Sequence, residues 1–147
     1  CIGRVSLSRR PLPGFQLNPL ERKEPVKKVT FSDEQKVKVN MVGGLMTGKQ
    51  VYRQSILQPG ESADFNFAIV SFDAGSHTHF HTHSGDQLLV ITEGNGKVGN
   101  ESEVFNVTVG DMVMIPAGEN HWHGAPDDTA MSHITITIPG SKTTQTG

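Results

Sequence analysis

The feature that most restricts how this sequence can fold is a series of short apolar segments separated by turn residues, from residue 50 onward. The segments are rich in β-branched and aromatic residues and are bounded by Gly, Pro, Asn or Asp, which is typical of β-strands. A Gly94-Asn95-Gly96 sequence also predicts a hairpin turn. The predicted strands are 51–57, 65–72, 77–83, 88–92, 103–109, 112–115, 121–123 and 131–138. Because no segment has the period and length of a long helix, we expect an all-β sandwich or barrel.

Composition agrees with a single globular domain. The chain has 147 residues, of which 35% are apolar and 19% charged, enough to bury a modest core. Its longest apolar runs are far too short to cross a bilayer, so we expect no membrane span. The single cysteine, Cys1, excludes an internal disulfide and a thiolate metal cluster.

Charge and proline separate the beginning of the chain from the rest. Residues 1–40 hold nine Lys or Arg against four Asp or Glu, whereas residues 41–147 hold four against eleven. We therefore predict an irregular N-terminal arm over 1–36, a β domain over 37–140 and a tail over 141–147. A basic arm can bind nucleic acid or anionic lipid. Because it lacks interleaved aromatic residues, we favour a solvated extension that docks on the acidic body or on a second subunit.

The chain begins with Cys1 rather than methionine. A lipid-modified cysteine of an exported protein is one interpretation, but no export signal is visible to support it. We favour a sequence boundary at this position and predict a cytoplasmic location.

The histidines are concentrated in the second half of the chain, with none in the first 76 residues. Four of them alternate, at positions 77, 79, 81 and 83, and in one continuous strand they would share a face. Imidazoles two residues apart on a strand are about 7 Å apart at the backbone, so two can converge on one ion. The alternative is a polar, solvent-facing strand.

Two spaced motifs then resemble the cupin superfamily. The first is Gly75-x5-His81-x-His83-x3-Gln87-x6-Gly94, and the second, 15 residues later, is Gly110-x5-Pro116-x-Gly118-x2-His121. Gln87 stands where most cupins have Glu, and Ala125 stands where many have Asn. The resemblance covers about residues 50–140 and implies a cupin jelly-roll barrel, a double-stranded β-helix.

The resemblance also implies that His81, His83, Gln87 and His121 bind one divalent metal ion per chain. Three neutral imidazoles and a neutral amide would leave the full charge of the ion in place, so it would lower the pKa of a bound hydroxyl. Four protein ligands leave about two positions of an octahedral ion open, as in a catalytic site. Manganese is our first expectation by resemblance, and iron, zinc, nickel and cobalt also suit these ligands.

Gln87 and the segment 116–126 resemble a narrower group, the small cupins related to carboxymuconolactone decarboxylase-associated cupins. This group includes manganese-dependent hydroxynitrile lyases, and it implies that His133 and His123 are catalytic, His133 by moving a proton. His123 is equally well interpreted as a core histidine or one that supports a ligand.

The last predicted strand contains a conflict. Hydrophobic alternation alone would turn its three isoleucines inward and His133 outward, whereas the resemblance turns His133 inward. With His133 inside, the isoleucines would face outward and could form a subunit interface, so we expect a homodimer or a higher homo-oligomer. We also expect Ala68 and Val70 to point into the pocket.

We therefore expect a metal-dependent lyase or isomerase that acts on a small hydroxy or carbonyl compound and binds no nucleic acid. Two alternatives stay open, an iron-dependent dioxygenase and a non-catalytic cupin that binds a sugar or a metal. Open metal positions beside spare histidines favour an enzyme. His77 and His79 depart from the lyases, and either crowd the pocket, add a proton donor or bind a second ion.

Overall fold

The computed structural model describes residues 25–147, so the predictions about Cys1 and the basic residues before 25 lie outside the described residues. In this range a 3-10 turn (Phe31–Asp33) precedes twelve strands. They are β1 (Val37–Lys38), β2 (Met46–Thr47), β3 (Val51–Ser55), β4 (Asn66–Phe72), β5 (His77–Thr78), β6 (His81–His83), β7 (Gln87–Asn100), β8 (Val104–Thr108), β9 (Met112–Ile115), β10 (His121–Gly124), β11 (Met131–Thr137) and β12 (Thr143–Gln145). Within this part of the chain, no helix is long and apolar enough to cross a membrane.

All twelve strands join in one curled antiparallel sheet with two halves that share β7. The first half has the order β1-β3-β4-β11-β7-β9. In the second half, β10 lies beside the distal part of β7, and β5 and β6 lie beside β10. β8 pairs with β7, β2 with β5 and β12 with β6. The predicted all-β jelly roll is confirmed.

Strand alternation builds the core between the halves. On β7 the residues Gln87, Leu89 and Ile91 are buried, while those between them are only half-buried. The other apolar core residues are Val51, Val70, Phe72, Val98, Val107, Ile115, Ala125 and Met131. Burying side chains of this size contributes roughly 1.5–3 kcal/mol each.

The predicted hairpin at Gly94–Gly96 is wrong, because these residues lie inside the long strand β7. Gly94 has a φ of 68°, and the register between β7 and β11 slips beside it, between Ser132 and His133. A positive φ serves a bulge as well as a hairpin. Here the strand bends from one half of the sheet into the other, without reversing.

The two ends of the described chain also pack against the barrel. The side-chain amide of Gln54 donates hydrogen bonds to the carbonyl oxygens of Phe31 and Glu34, at 2.9 and 3.0 Å. The segment predicted as a tail contains β12, in which Thr143 lies opposite His83. Residues 141–147 thus reach the histidine strand.

Candidate metal centre

Six buried polar side chains line the interior of the barrel. They are His81 and His83 on β6, Gln87 on β7, His121 and His123 on β10, and His133 on β11, each at most 9% exposed. His81 and His121 are directly paired across β6 and β10. Residues far apart in sequence therefore meet because the sheet curls.

The prediction that all four alternating histidines share one face is wrong. The chain leaves the strand conformation between Thr78 and His81, after the amide of His79 has made a last bond on the β2 side, to the carbonyl of Leu45 at 2.8 Å. This break shifts the alternation, so Thr78 is the buried residue of β5, and His77 packs its ring against Trp122. His77 and His79 line a separate cavity of about 520 Å³ with Phe80, Lys97, Trp122 and Asp127. They do not crowd the interior histidines.

Three interior histidines have ligand atoms close enough to share an ion, and this group contains His123 but not the predicted ligand His83. Nitrogen atoms of His81, His121 and His123 all lie within 4.8 Å of one another. The rings of His81 and His83 are 4.9 Å apart. Gln87 Oε1 lies 3.1 Å from His121 Nε2.

Hydrogen bonds on the far side of three rings determine which nitrogen faces inward. His81 Nδ1 donates to the carbonyl of His79 at 2.8 Å, and His121 Nδ1 donates to the carbonyl of Glu119 at 2.9 Å. His83 Nδ1 lies 2.9 Å from the hydroxyl of Thr143. A proton on Nδ1 leaves a lone pair on Nε2, the usual arrangement of a metal-binding histidine.

The contact between His121 and Gln87 tests whether a cation fits. Gln87 Nε2 donates to Thr135 Oγ1 at 3.0 Å, which directs its carbonyl oxygen toward His121. In this amide orientation, and with the His121 ring proton on Nδ1, that oxygen and His121 Nε2 are both acceptors. Two ligands bound at about 2.1 Å and at a right angle are about 3 Å apart, so the contact fits neighbouring ligands of one ion.

A second observation supports the fit. His83 Nε2 is fully buried, and among residues 25–147 no group, including the nearby Gln87 side chain, meets it with hydrogen-bond geometry. An unpaired buried acceptor is costly, and a metal ion would satisfy it. The donor set therefore fits a divalent cation.

Burial also keeps these imidazoles neutral. It lowers the pKa of His81 to about 4, and it lowers the pKa values of His83 and His121 below the ordinary value of 6.5. Since a protonated imidazole cannot bind a metal, these shifts keep the lone pairs available at neutral pH.

His123 and His133 form a pair beside the cluster. His123 Nδ1 lies 3.0 Å from His133 Nε2, and both rings contact Phe72. Burial lowers the pKa of His133 to about 4 and that of His123 well below its ordinary value. His123 Nε2 has no partner within the described residues. The structure thus places His133 inside, as the resemblance implied, with Ile134 and Ile136 on the outer surface.

Thr143 is a site residue that the sequence did not reveal, because nothing in a short polar tail marks a strand. We expect Thr143→Val, which removes the hydroxyl that holds His83, to lower divalent-metal affinity about 10- to 100-fold. Competition with a chelator measures this, and Thr144→Val on the opposite side of β12 is the matched control. Equal affinity in the two variants would contradict a role for Thr143.

A curled antiparallel barrel with a buried histidine cluster defines a class of protein, and sequence comparison agrees with it. Residues 68–137 match the family model of the cupin domain. This match identifies residues 68–137 as a cupin domain.

One curated relative is an (R)-mandelonitrile lyase from Granulicella tundricola, which is 43% identical over 70 residues. The match covers 47% of this chain and 53% of the relative. The chain therefore spans about half the length of the curated relative it matches.

Solved structures share the fold. A cupin-like protein from Thermotoga maritima is 29% identical with a TM-score of 0.66, over 70% of this chain and 80% of its own. The polyketide cyclase RemF from Streptomyces resistomycificus has a TM-score of 0.73 at 16% identity, over 84% of this chain and 87% of its own. A predicted oxalate decarboxylase from Thermotoga maritima has a TM-score of 0.66 at 21% identity, over 77% and 99%. At these lower identities the last two indicate the fold alone.

Proposed function

We propose that this chain is a metal-dependent lyase that cleaves or forms a carbon–carbon bond in a small hydroxynitrile or a related hydroxy or carbonyl compound. The observation that carries the proposal is the pair of buried acceptors, Gln87 Oε1 and His121 Nε2, 3.1 Å apart within a histidine cluster. The partial match to a mandelonitrile lyase supports the type of reaction.

His81, His83, Gln87 and His121 are the residues that would hold the metal, with manganese first and iron, zinc, nickel or cobalt as the alternatives. A ring nitrogen of His123 is also near enough to those of His81 and His121 to bind the same ion. The Nδ1 atom of His123 contacts the imidazole of His133, whereas the Nδ1 atoms of His81 and His121 donate to backbone carbonyls. This contact favours a role for His123 in proton transfer. When bound, the ion supplies a Lewis acid that lowers the pKa of a substrate hydroxyl.

The pair His123 and His133 moves the proton. Burial lowers the pKa values of both imidazoles and favours their neutral forms. In the tautomer with the His123 ring proton on Nδ1, His123 Nε2 holds a lone pair that can accept a proton. His123 can then pass its Nδ1 proton to His133 Nε2 along the 3.0 Å contact. Spreading the charge over two rings reduces the cost of a buried cation.

Small side chains leave room beside this pair. Val70 lies directly across from His133 in the sheet, and Ala68 lies across from Thr135. Both are almost completely buried, as the sequence predicted. A substrate that reaches His133 would therefore have to lie against these two side chains.

The experiment that tests this proposal uses protein purified without nickel resin. We expect elemental analysis to find about one manganese or iron ion per chain, and we expect release of benzaldehyde from (R)-mandelonitrile, measured by absorbance. Chelation should abolish the release and added metal should restore it. A metal-loaded chain that takes up oxygen, or that binds ligands without turnover, would contradict the proposal.

The proposal includes a homodimer. The outer surface of the first half-sheet is apolar along two neighbouring rows, Met112–Val90–Ile134 and Met114–Leu88–Ile136. Met112 and Met114 are 59% and 48% exposed, and a patch of this kind is typical of an interface. Sedimentation equilibrium at micromolar concentration should give twice the chain mass, and a monomer would contradict this part of the proposal.

A further inference from the structure

Arg53 lies in the same cross-strand row as the proposed proton-transfer residue. It is paired with Val70 across β3 and β4, and Val70 is paired with His133 across β4 and β11. On β3 it shares a face with Val51, a fully buried core residue. Because side chains in one row share a face, Arg53 lies on the face of β3 that carries Val51, although Arg53 itself is exposed.

Two strand spacings of about 4.8 Å place the backbones of Arg53 and His133 about 10 Å apart, a gap that a long arginine side chain can largely cross. Burial is the main cause of the lowered pKa of His133, and the positive charge of Arg53 adds a smaller effect in the same direction. Arg53 also lines an open cavity of about 460 Å³ with Glu34, Val37 and Ser55. Arg53 therefore lines this cavity and is close enough to His133 for its charge to act on that imidazole.

This guanidinium has no counter-charge. Among residues 25–147 it makes no hydrogen bond or ion pair, although Glu34 lines the same cavity. Arg53 is an exposed residue near the edge of the sheet, yet partial burial of its guanidinium lowers its pKa below the ordinary value for arginine. A partly desolvated cation without a partner costs stability, and an anion that enters the cavity would offset this cost.

We propose that Arg53 binds a carboxylate of the substrate, so that the preferred substrates are small acids that carry a carboxylate as well as the reacting hydroxyl or carbonyl group. This inference rests on the proposed function, because it assigns the substrate class of that site. The planar fork of a guanidinium matches the two oxygens of a carboxylate and forms two parallel hydrogen bonds with it. A neutral group of the same shape cannot make both contacts.

The test compares two probes of nearly equal shape, mandelate and mandelamide, by titration calorimetry. The wild-type chain should bind mandelate about tenfold or more tightly than mandelamide, which is the range expected for hydrogen bonds between charged groups. Arg53→Gln should remove this preference and leave mandelamide binding unchanged. Arg53→Lys, which keeps the charge but not the fork, should restore part of it.

Lys38→Gln is the matched control, since Lys38 lines the same cavity and the variant loses the same charge. It should change the preference by less than about threefold, as expected for a screened surface charge. Thermal unfolding confirms that each variant is folded, and metal content should be equal in all of them.

Each titration is made on metal-loaded and on chelated protein. The readout in each case is the ratio of the affinity for mandelate to the affinity for mandelamide. A chain without metal or lyase activity would overturn the proposed function but would leave this ratio measurable. The role of Arg53 is overturned if Arg53→Gln keeps the wild-type ratio, if Lys38→Gln loses it equally, or if the wild-type chain shows no preference.

Discussion

The His81→Ala variant is expected to purify with less than about a tenth of the divalent metal bound by the wild-type chain. His81 is 1% exposed and lies opposite His121, and its Nδ1 donates to a backbone carbonyl. Alanine removes one of the four proposed metal ligands, and the remaining three cannot complete the coordination of the ion. Since outer hydrogen bonds alone change metal affinity 10- to 100-fold, loss of a ligand should cost about 100-fold or more.

His77→Ala is the control that gives this experiment its value. The two histidines alternate in the same short stretch, but the break before His81 directs His77 to the outer cavity, where its ring meets Trp122. His77→Ala should therefore keep its metal. Elemental analysis of both variants, purified in parallel without nickel resin, measures the difference.

A buried histidine can also be needed for folding, so circular dichroism and thermal unfolding accompany the metal analysis. His83→Ala provides a second ligand variant, since its Nε2 is buried and unpaired in the described part of the chain. If a folded His81→Ala keeps its metal, or if His77→Ala loses it to the same extent, the proposed ligand set is wrong.

A Gly94→Ala variant is expected to lose about 3 kcal/mol or more of its free energy of unfolding. Gly94 has a φ of 68°, and a methyl group on its Cα would overlap the carbonyl oxygen of Ala130. The left-handed conformation costs an L-residue about 1–2 kcal/mol, and the clash adds about 1–3 kcal/mol as an overpacked side chain does. Because β7 bends at this residue, the strain falls where the two half-sheets meet.

Gly110→Ala is the control that separates the conformational cost from the cost of the clash with Ala130. Its φ of 94° is also positive, but a methyl group there would have no neighbour within 4 Å. It should lose only about 1–2 kcal/mol, the conformational part. Urea unfolding of the metal-free proteins gives both values, and equal losses would show that the Ala130 contact is relieved at little cost.

The sequence alone was enough to predict the fold class and the inward position of several site residues. Strand alternation and turn residues predicted an all-β protein, and the resemblance of two motifs to those of cupins implied the ligands His81, His83, Gln87 and His121. These signals are local, because each depends only on residues a few positions apart. The structure buries all four residues in one interior.

Other features needed the tertiary structure, because they depend on pairing between distant segments. Alternation cannot show where a strand breaks, so it placed His77 beside His81. It also could not show that Gly94 bends a continuous strand, since a positive φ serves both a hairpin and a bulge. A polar segment such as 143–145 becomes a strand only because β6 offers an unpaired edge.

What the sequence by itself determined was therefore the kind of sheet and the side chains available for chemistry. Only the curl of that sheet decided which of them meet. It brings the Thr143 hydroxyl to His83 and the side-chain oxygen of Gln87 to His121, and strand register puts Arg53 in the same cross-strand row as His133. The physical reason is that spacing along a strand sets the face of a residue, whereas register and curvature set its neighbours across strands.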